Sequence, residues 1–292
     1  MSVNSPQPGD RLSETDFSQI KSIAYEDAGL VLPDAKRSMV EARIARRMRA
    51  SNCFCIGEYL QRLSGSASAL ERKELISVLT TNVTSFFREA HHFDTLQSEV
   101  FPDLLVRARK GQRVRIWSAG SSSGQEAFSL AMLFHFLDSE SASFDLRILA
   151  TDIDHVSLAR ANTAVYQATE LDPIPQKIRK ALALKISEDG NVIMPSALRR
   201  LVTFKPLNLH EQWPMRGKFD VVLCRNVVIY FDAHHQAALW PRFNAVLKNG
   251  GWLFLGHSER LQPIDGSGFR AQGVTTYQKT GAWTGPANQE GC

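Results

Sequence analysis

The side chains of this chain that could do chemistry together fall into three short polar groups, each directly after an apolar run. Ser118-Ala119-Gly120-Ser121-Ser122-Ser123-Gly124-Gln125-Glu126 follows residues 114–117. Small side chains there let a ligand approach the backbone, and the helix they open presents free N–H groups that favour an anion. Asp152, in Thr151-Asp152-Ile153-Asp154, follows residues 146–150, where a carboxylate can accept both hydroxyls of a ribose. Arg225-Asn226 follows residues 221–224. Either Asp152 or Asp154 could simply cap the next helix, and the presence of a third polar group weighs against that reading. The pattern G-x-G-x-x-G is absent, which disfavours a nicotinamide dinucleotide.

For three such loops to meet, the runs before them must lie side by side as strands, because ligands of open parallel sheets bind at the carboxyl ends. From residue 111 onward the pattern supports this. Strands at 114–117, 146–150, 201–204, 221–224, 252–255 and 274–278 alternate with helices at 125–137, 154–166 and 233–247, predicting an α/β fold on a mainly parallel sheet. Residues 167–200 break the rhythm with Asp172-Pro173-Ile174-Pro175 and Glu188-Asp189-Gly190-Asn191, and read as an insertion. The first part differs. Ile20, Ile23 and Ala24, then Val40, Ile44 and Met48, then Tyr59, Leu60 and Leu63 recur at helical spacing, predicting an all-α domain over residues 1–78. The β-branched stretch Thr80-Thr81-Asn82-Val83-Thr84 lies in an expected linker, residues 79–90, before a second domain over 91–292.

Composition narrows the class. With 43% hydrophobic and 22% charged residues among 292, the chain is an ordinary globular one. No apolar run approaches the roughly 18 residues that a membrane span requires, and residues 1–10 carry no apolar leader segment, so a cytoplasmic protein without membrane insertion is expected. Cys53, Cys55, Cys224 and Cys292 form no C-x-x-C pair and read as reduced thiols, with Cys292 and the polar tail from Gly281 unassigned. His91-His92 and His234-His235 stand outside any metal-binding motif, so no metal is expected. The net charge of +4 argues against nucleic acid as the partner.

Several longer motifs carry a resemblance. They are Thr80-Thr81-Asn82-Val83-Thr84-Ser85-Phe86-Phe87-Arg88-Glu89, Trp117-Ser118-Ala119 with Ser123-Gly124-Gln125-Glu126, Asp152-Ile153-Asp154, and Asn208-Leu209. Cys224-Arg225-Asn226-Val227-Val228-Ile229-Tyr230-Phe231 and Gly256-His257-Ser258-Glu259 complete the set. In this order, over nearly the whole chain, they resemble the chemotaxis receptor methyltransferases of the CheR family. The resemblance implies a Rossmann-like S-adenosylmethionine-dependent methyltransferase domain with a small inserted antiparallel β subdomain at about 167–200, preceded by an all-α domain. It implies methylation of glutamate carboxylates on chemoreceptor helices during sensory adaptation, with S-adenosylhomocysteine as product. Positions matching the family's cofactor contacts are Asn82, Thr84, Arg88, Glu126, Asp152, Asn208, Leu209, Arg225 and Asn226. Asp152 would take the ribose, Glu126 would help hold the methionine ammonium and Asn208 would read the adenine. Gln125 stands where the family usually has a second Glu. Arg88 and Tyr230 are the expected catalytic residues, steering the incoming carboxylate.

Docking and rival readings complete the picture. Lys36, Arg37, Arg43, Arg46, Arg47 and Arg49 cluster with only Glu41 among them. Arg43, Arg46 and Arg47 share one helix face, expected to be either a solvated face or a docking surface for the acidic receptor bundle. The stretch 185–191 lacks the Arg-Gly-x-Gly pattern of members that tether to a receptor's C-terminal peptide, so tethering is not expected, and a monomer is. Gly120-Ser121-Ser122-Ser123-Gly124 matches a hydrolase nucleophile elbow, with Asp220 and His257 as formal partners, but that fold requires strands before its elbow. Asn82-Val83-Thr84 is a glycosylation sequon that lacks the secretory context. The Asn/Asp-Pro-Pro-aromatic motif of base-amine methyltransferases is absent after residue 224. Two alternatives stay open: an adaptor that binds S-adenosylmethionine without turnover, and a methyltransferase for another protein carboxylate.

Overall fold

The computed structural model describes residues 12–65 and 68–285. Residues 1–10 and Cys292 lie outside that range. The described chain divides into two compact units between Thr81 and Asn82, with the short segment Tyr230–His235 returning to the first.

The first unit is built from four helices: α1 Glu14–Ala28, α2 Arg37–Ala50, α3 Ile56–Ser64 and α4 Ser68–Leu79. Ser13 starts α1 with a reciprocal cap, its Oγ accepting the Asp16 N–H while Asp16 accepts the Ser13 N–H. Gly29 ends the helix at φ 64°, a left-handed position that costs glycine nothing. The buried stripes are Phe17, Ile20, Ile23 and Ala24 on α1, Val40, Ile44 and Met48 on α2, and Tyr59, Leu60 and Leu63 on α3. These are the apolar positions whose spacing predicts the helices. Within the unit, the Val31 N–H donates to the Tyr230 carbonyl (2.9 Å) and the Tyr25 hydroxyl to Asp232 (2.8 Å).

The second unit opens with α5 Ala90–Thr95 and α6 Phe101–Arg109, which lead into β1 Val114–Ala119. Then follow α7 Gln125–Leu137, β2 Leu146–Asp152, α8 His155–Thr163, β3 Val165–Gln167, α9 Gln176–Leu182, β4 Asn191–Ile193, α10 Ser196–Leu201 and β5 Val202–Pro206. The remaining elements are β6 Phe219–Cys224, α11 Ala233–Val246, β7 Leu247–Leu255, β8 Phe269–Gly273 and β9 Thr276–Lys279. Seven strands form one sheet in the order β5-β2-β1-β6-β7-β9-β8. The first five are parallel, and β9 and β8 run antiparallel at the edge. The order reverses between β1 and β6, the switch point at which a ligand cleft forms. All six residues of β6 are buried, as a central strand covered on both faces must be.

The insertion is partly helical. β3 and β4 pair antiparallel, with Ile186 bridging to Val192 on the far side. However, α9 and α10 pack on α7, and their Ile178, Leu182, Leu198 and Leu201 join the main core. The expected small β subdomain is therefore a β ribbon held by two core-bound helices. β8 has no counterpart in the sequence reading because only Phe269 of its five residues is buried, leaving no alternation to detect.

Candidate cofactor site

The site is assembled from the loops after β1, β2 and β6 in the second unit. The loop after β1 turns on Gly120 (φ 86°) and Gly124 (φ 94°). At Gly124 a Cβ would lie 2.7 Å from the Tyr166 hydroxyl and 3.0 Å from Phe204, so only glycine fits. The Tyr166 hydroxyl donates to the Ser123 carbonyl (2.7 Å), and Gly124 begins α7 in a left-handed conformation. Its neighbour Gln125 accepts from Ser123 Oγ (2.8 Å) and donates to Glu170 (3.1 Å), whose two oxygens also accept from Arg160. Gln125 is thus tied to the insertion.

Asp152 ends β2 and is buried. Its Oδ2 accepts the Ser122 N–H (2.7 Å) and its Oδ1 the Asp154 N–H (2.9 Å). Burial pushes its carboxyl up to about 6, against these hydrogen bonds. The two acids divide the roles that sequence left open. Asp154 caps α8, accepting the N–H groups of Val156 and Ser157, and also receives the Asn82 amide (2.6 Å). Asp152 is not a cap.

After β6, Arg225 lies buried between two acids, its Nη1 3.0 Å from Glu126 and its Nη2 3.3 Å from Glu89. It also donates to the Arg88 carbonyl and stands over the Phe93 ring. The other Glu126 oxygen accepts from Ser118 Oγ (2.7 Å). Burial alone would raise the Glu89 carboxyl, but the Arg225 guanidinium, together with His257 and Asn226, holds it down to about 2. Beside it, burial and the Arg225 charge push His92 down to about 3, leaving a neutral ring whose Nε2 lies 2.9 Å from Thr275 Oγ1. Phe87, Glu89, Ser122 and Asn226 all have positive φ. For non-glycine residues such conformations cost of order 1–3 kcal/mol each and cluster at functional sites.

The remaining expected site residues are placed as follows. The Arg88 guanidinium donates to the Val83 carbonyl (2.9 Å), and Thr84 is half-buried in the same loop. Asn208 and Leu209 follow β5; the Asn208 side chain accepts the His210 N–H, and the Leu209 carbonyl accepts from Trp213 and Arg242. Tyr230 belongs to the first unit, its hydroxyl 3.5 Å from the Thr81 carbonyl and its ring under Lys36.

The basic face of α2 is narrower than its spacing suggests. Arg43 donates to the carbonyls of Val78, Leu79 and Thr80 at the end of α4, a cation capping a helix C-terminus. Arg47 binds buried Glu71 through Nε (2.7 Å) and Nη2 (2.9 Å) and reaches Glu74 (3.2 Å). Arg46 and Arg49 are exposed.

Sequence gives no role to Glu89, His92 or Glu259, and His257 enters it only as a formal partner of the hydrolase elbow. Glu89 and His91-His92 do form a carboxylate–histidine group, with ligand atoms within 4.8 Å, although no metal-binding motif is legible around those histidines in the sequence. Arg225 already contacts that carboxylate, and its positive charge opposes a cation there. The hydrolase constellation is not assembled. Asp220 is bound to Lys248 and Arg107, His257 to Glu89, and Ser122 Oγ to the Asn82 carbonyl.

The residues fit an adenosyl cofactor. Asp152 makes two side-chain hydrogen bonds while a carboxylate has about four acceptor positions, leaving capacity for a ribose diol. Within the glycine loop the buried Ser121 Oγ has no hydrogen-bond partner among the described residues, and buried polar atoms of this kind are normally satisfied.

Comparison with known proteins agrees. The description "CheR methyltransferase, SAM binding domain" matches residues 82–277, and "CheR methyltransferase, all-alpha domain" matches residues 15–80. A probable chemotaxis protein methyltransferase of Rhizobium etli is 43% identical over 88% of this chain and 96% of its own. The chemotaxis protein methyltransferase of Escherichia coli is 37% identical over 91% of each. Among solved structures, the glycopeptide N-methyltransferase MtfA with S-adenosyl-L-homocysteine overlaps 53% of this chain and 47% of its own, at 15% identity and a TM-score of 0.31, too little to add to the assignment. With an all-α domain, a methyltransferase sheet and both family matches in sequence order, the chain belongs to the CheR family of S-adenosylmethionine-dependent methyltransferases.

Proposed function

We propose that this chain methylates glutamate side-chain carboxylates on the cytoplasmic helices of chemoreceptors. The observation that carries the reading is the convergence of the Gly120–Gly124 loop, buried Asp152 and the Glu126–Arg225–Glu89 ion network at adjoining strand ends of a CheR-family chain. Bound there, S-adenosylmethionine supplies an electrophilic methyl group on a sulfonium centre. Asp152 would accept from its ribose hydroxyls, Glu126 would help hold its methionine ammonium, and Asn208, with Leu209, would read its adenine. Asn82, Thr84, Arg88, Arg225 and Asn226 complete the enclosure.

A glutamate with a pKa of about 4.3 is ionised at neutral pH, so the chain needs no general base. Its task is to orient the carboxylate and exclude water, because charge is lost as the methyl moves. Arg88 supplies a charge-assisted contact to that carboxylate and Tyr230 a phenolic hydrogen bond. The acidic receptor surface docks on the basic α2 through the exposed Arg46, while Arg43 and Arg47, the other expected docking residues, turn inward to α4. The protein works in the cytoplasm as a monomer.

The test is incubation with S-adenosylmethionine and a receptor cytoplasmic fragment, followed by peptide mass mapping. Methyl esters on glutamate support the reading, and methylation confined to lysine, or none at all, overturns it. Tyr230→Phe is expected to lower turnover with cofactor affinity retained, and an unchanged rate removes Tyr230 from the mechanism.

A further inference from the structure

One buried acid at the strand ends is used by no part of this scheme. Glu259 closes the turn after β7 and is 3% exposed. Its Oε1 accepts the N–H groups of Val227 (2.8 Å) and Ile229 (3.2 Å), and its Oε2 those of Asn226 (3.0 Å) and Gly256. Among the described residues it has no ion-pair partner, so its charge is met by four backbone dipoles, three of them from the loop after β6. The turn is shaped around this contact. A Cβ on Gly256 would lie 2.6 Å from the Asn226 nitrogen and 2.8 Å from Glu259 Oε2.

The gripped loop follows directly on Arg225 and holds Asn226 at φ 58°. Asn226 donates to Glu89 (3.2 Å), the same acid that pairs with Arg225. Val227 presses on the loop after β1 so closely that a Cβ on Gly120 would meet its Cγ2 at 2.2 Å. Glu259 thereby fixes one loop directly and, through Val227, borders a second.

We propose that Glu259 is a positioning residue for methyl transfer: its carboxylate sets the backbone of residues 226–229 and so the placement of Arg225 and Asn226 toward the cofactor. The proposal rests on the reading that Arg225 and Asn226 hold the cofactor. It differs from a simple packing role because the contact is made with main-chain N–H groups of the site itself.

The test uses the full chain carrying Glu259→Gln, which keeps the shape but presents an amide NH2 to N–H groups that need an acceptor. Affinity for S-adenosylhomocysteine by calorimetry is expected to weaken about tenfold or more, the loss of one or two charge-assisted hydrogen bonds. kcat is expected to fall in parallel, with the receptor KM held and the far-UV circular dichroism unchanged. Glu259→Asp keeps both oxygens on a shorter stem and is expected to fall between parent and Gln variant; should the Gln protein fail to fold, the Asp protein carries the test. Affinity and kcat matching the parent overturn the proposal. So does an equal loss of affinity in Asp220→Asn, a buried acid paired with Lys248 and Arg107, because that would mark general destabilisation. Asn226→Ala run alongside separates the two readings. A loss there without one in Glu259→Gln removes only the positioning role, and no loss in either removes the cofactor assignment.

Discussion

Arg47 in the helical unit and Arg225 in the methyltransferase unit are both arginines held between two glutamates, yet their surroundings differ. Arg47 makes two short bonds to Glu71 from the middle of a regular helix, and the pair closes α2 onto α4. Burial alone would raise the Glu71 carboxyl, but the Arg47 bonds hold it below its usual range. Arg225 stands at a strand end between Glu89 and Asn226, both at positive φ, and among the described residues its own Nε and Glu89 Oε2 lack hydrogen-bond partners. A fully bonded pair on regular backbone builds architecture. Strained backbone and unspent polar capacity around the second pair mark a place where a ligand completes the structure.

The comparison predicts different failures. Arg225→Ala leaves Glu89 and Glu126 without their cation, so S-adenosylhomocysteine affinity should drop about a hundredfold and stability by about 3–5 kcal/mol, read by calorimetry and urea unfolding. Arg47→Met should cost about 2–3 kcal/mol, less because Arg47 is 18% exposed, while cofactor affinity stays at the parent value. Equal loss of affinity in both variants would erase the distinction.

Asp152 sharpens the comparison through pH. Its folded carboxyl, at about 6, lies above the unfolded value of about 3.9, so ionisation costs the unliganded fold. Stability without ligand should fall by about 2–3 kcal/mol as pH rises through that window and then level off. Ribose hydroxyls donate to the ionised form, so cofactor affinity should rise about tenfold between pH 5 and pH 7. Asp152→Asn should flatten both profiles. The smallest effect belongs to the exposed Arg46: Arg46→Glu should raise the receptor KM about threefold at low salt and less at high salt, with stability within about 0.5 kcal/mol. A KM unaffected at all salt concentrations would remove α2 from docking.

Much of this was legible in the sequence. The Gly120–Gly124 loop, Asp152 and Arg225-Asn226 could be found because parallel strands put their chemistry at one end, a rule that acts on short stretches of chain. Helices α1 to α3 were legible from one apolar stripe each. What stayed hidden depends on partners distant in sequence. Nothing near Arg47 announces Glu71, so spacing alone put Arg43 and Arg47 on an open basic face when both turn inward. Likewise Glu89 meets Arg225 and His257, and Glu259 meets Asn226, only once the strand order is set.

The most direct measurement is transfer of labelled methyl from S-adenosylmethionine to membranes bearing chemoreceptors, followed by alkali and counting of volatile methanol. The account predicts alkali-labile label that the parent and Arg47→Met proteins produce and a folded Arg225→Ala protein does not. Label that withstands alkali, or a protein that binds the cofactor and never consumes it, would contradict the account.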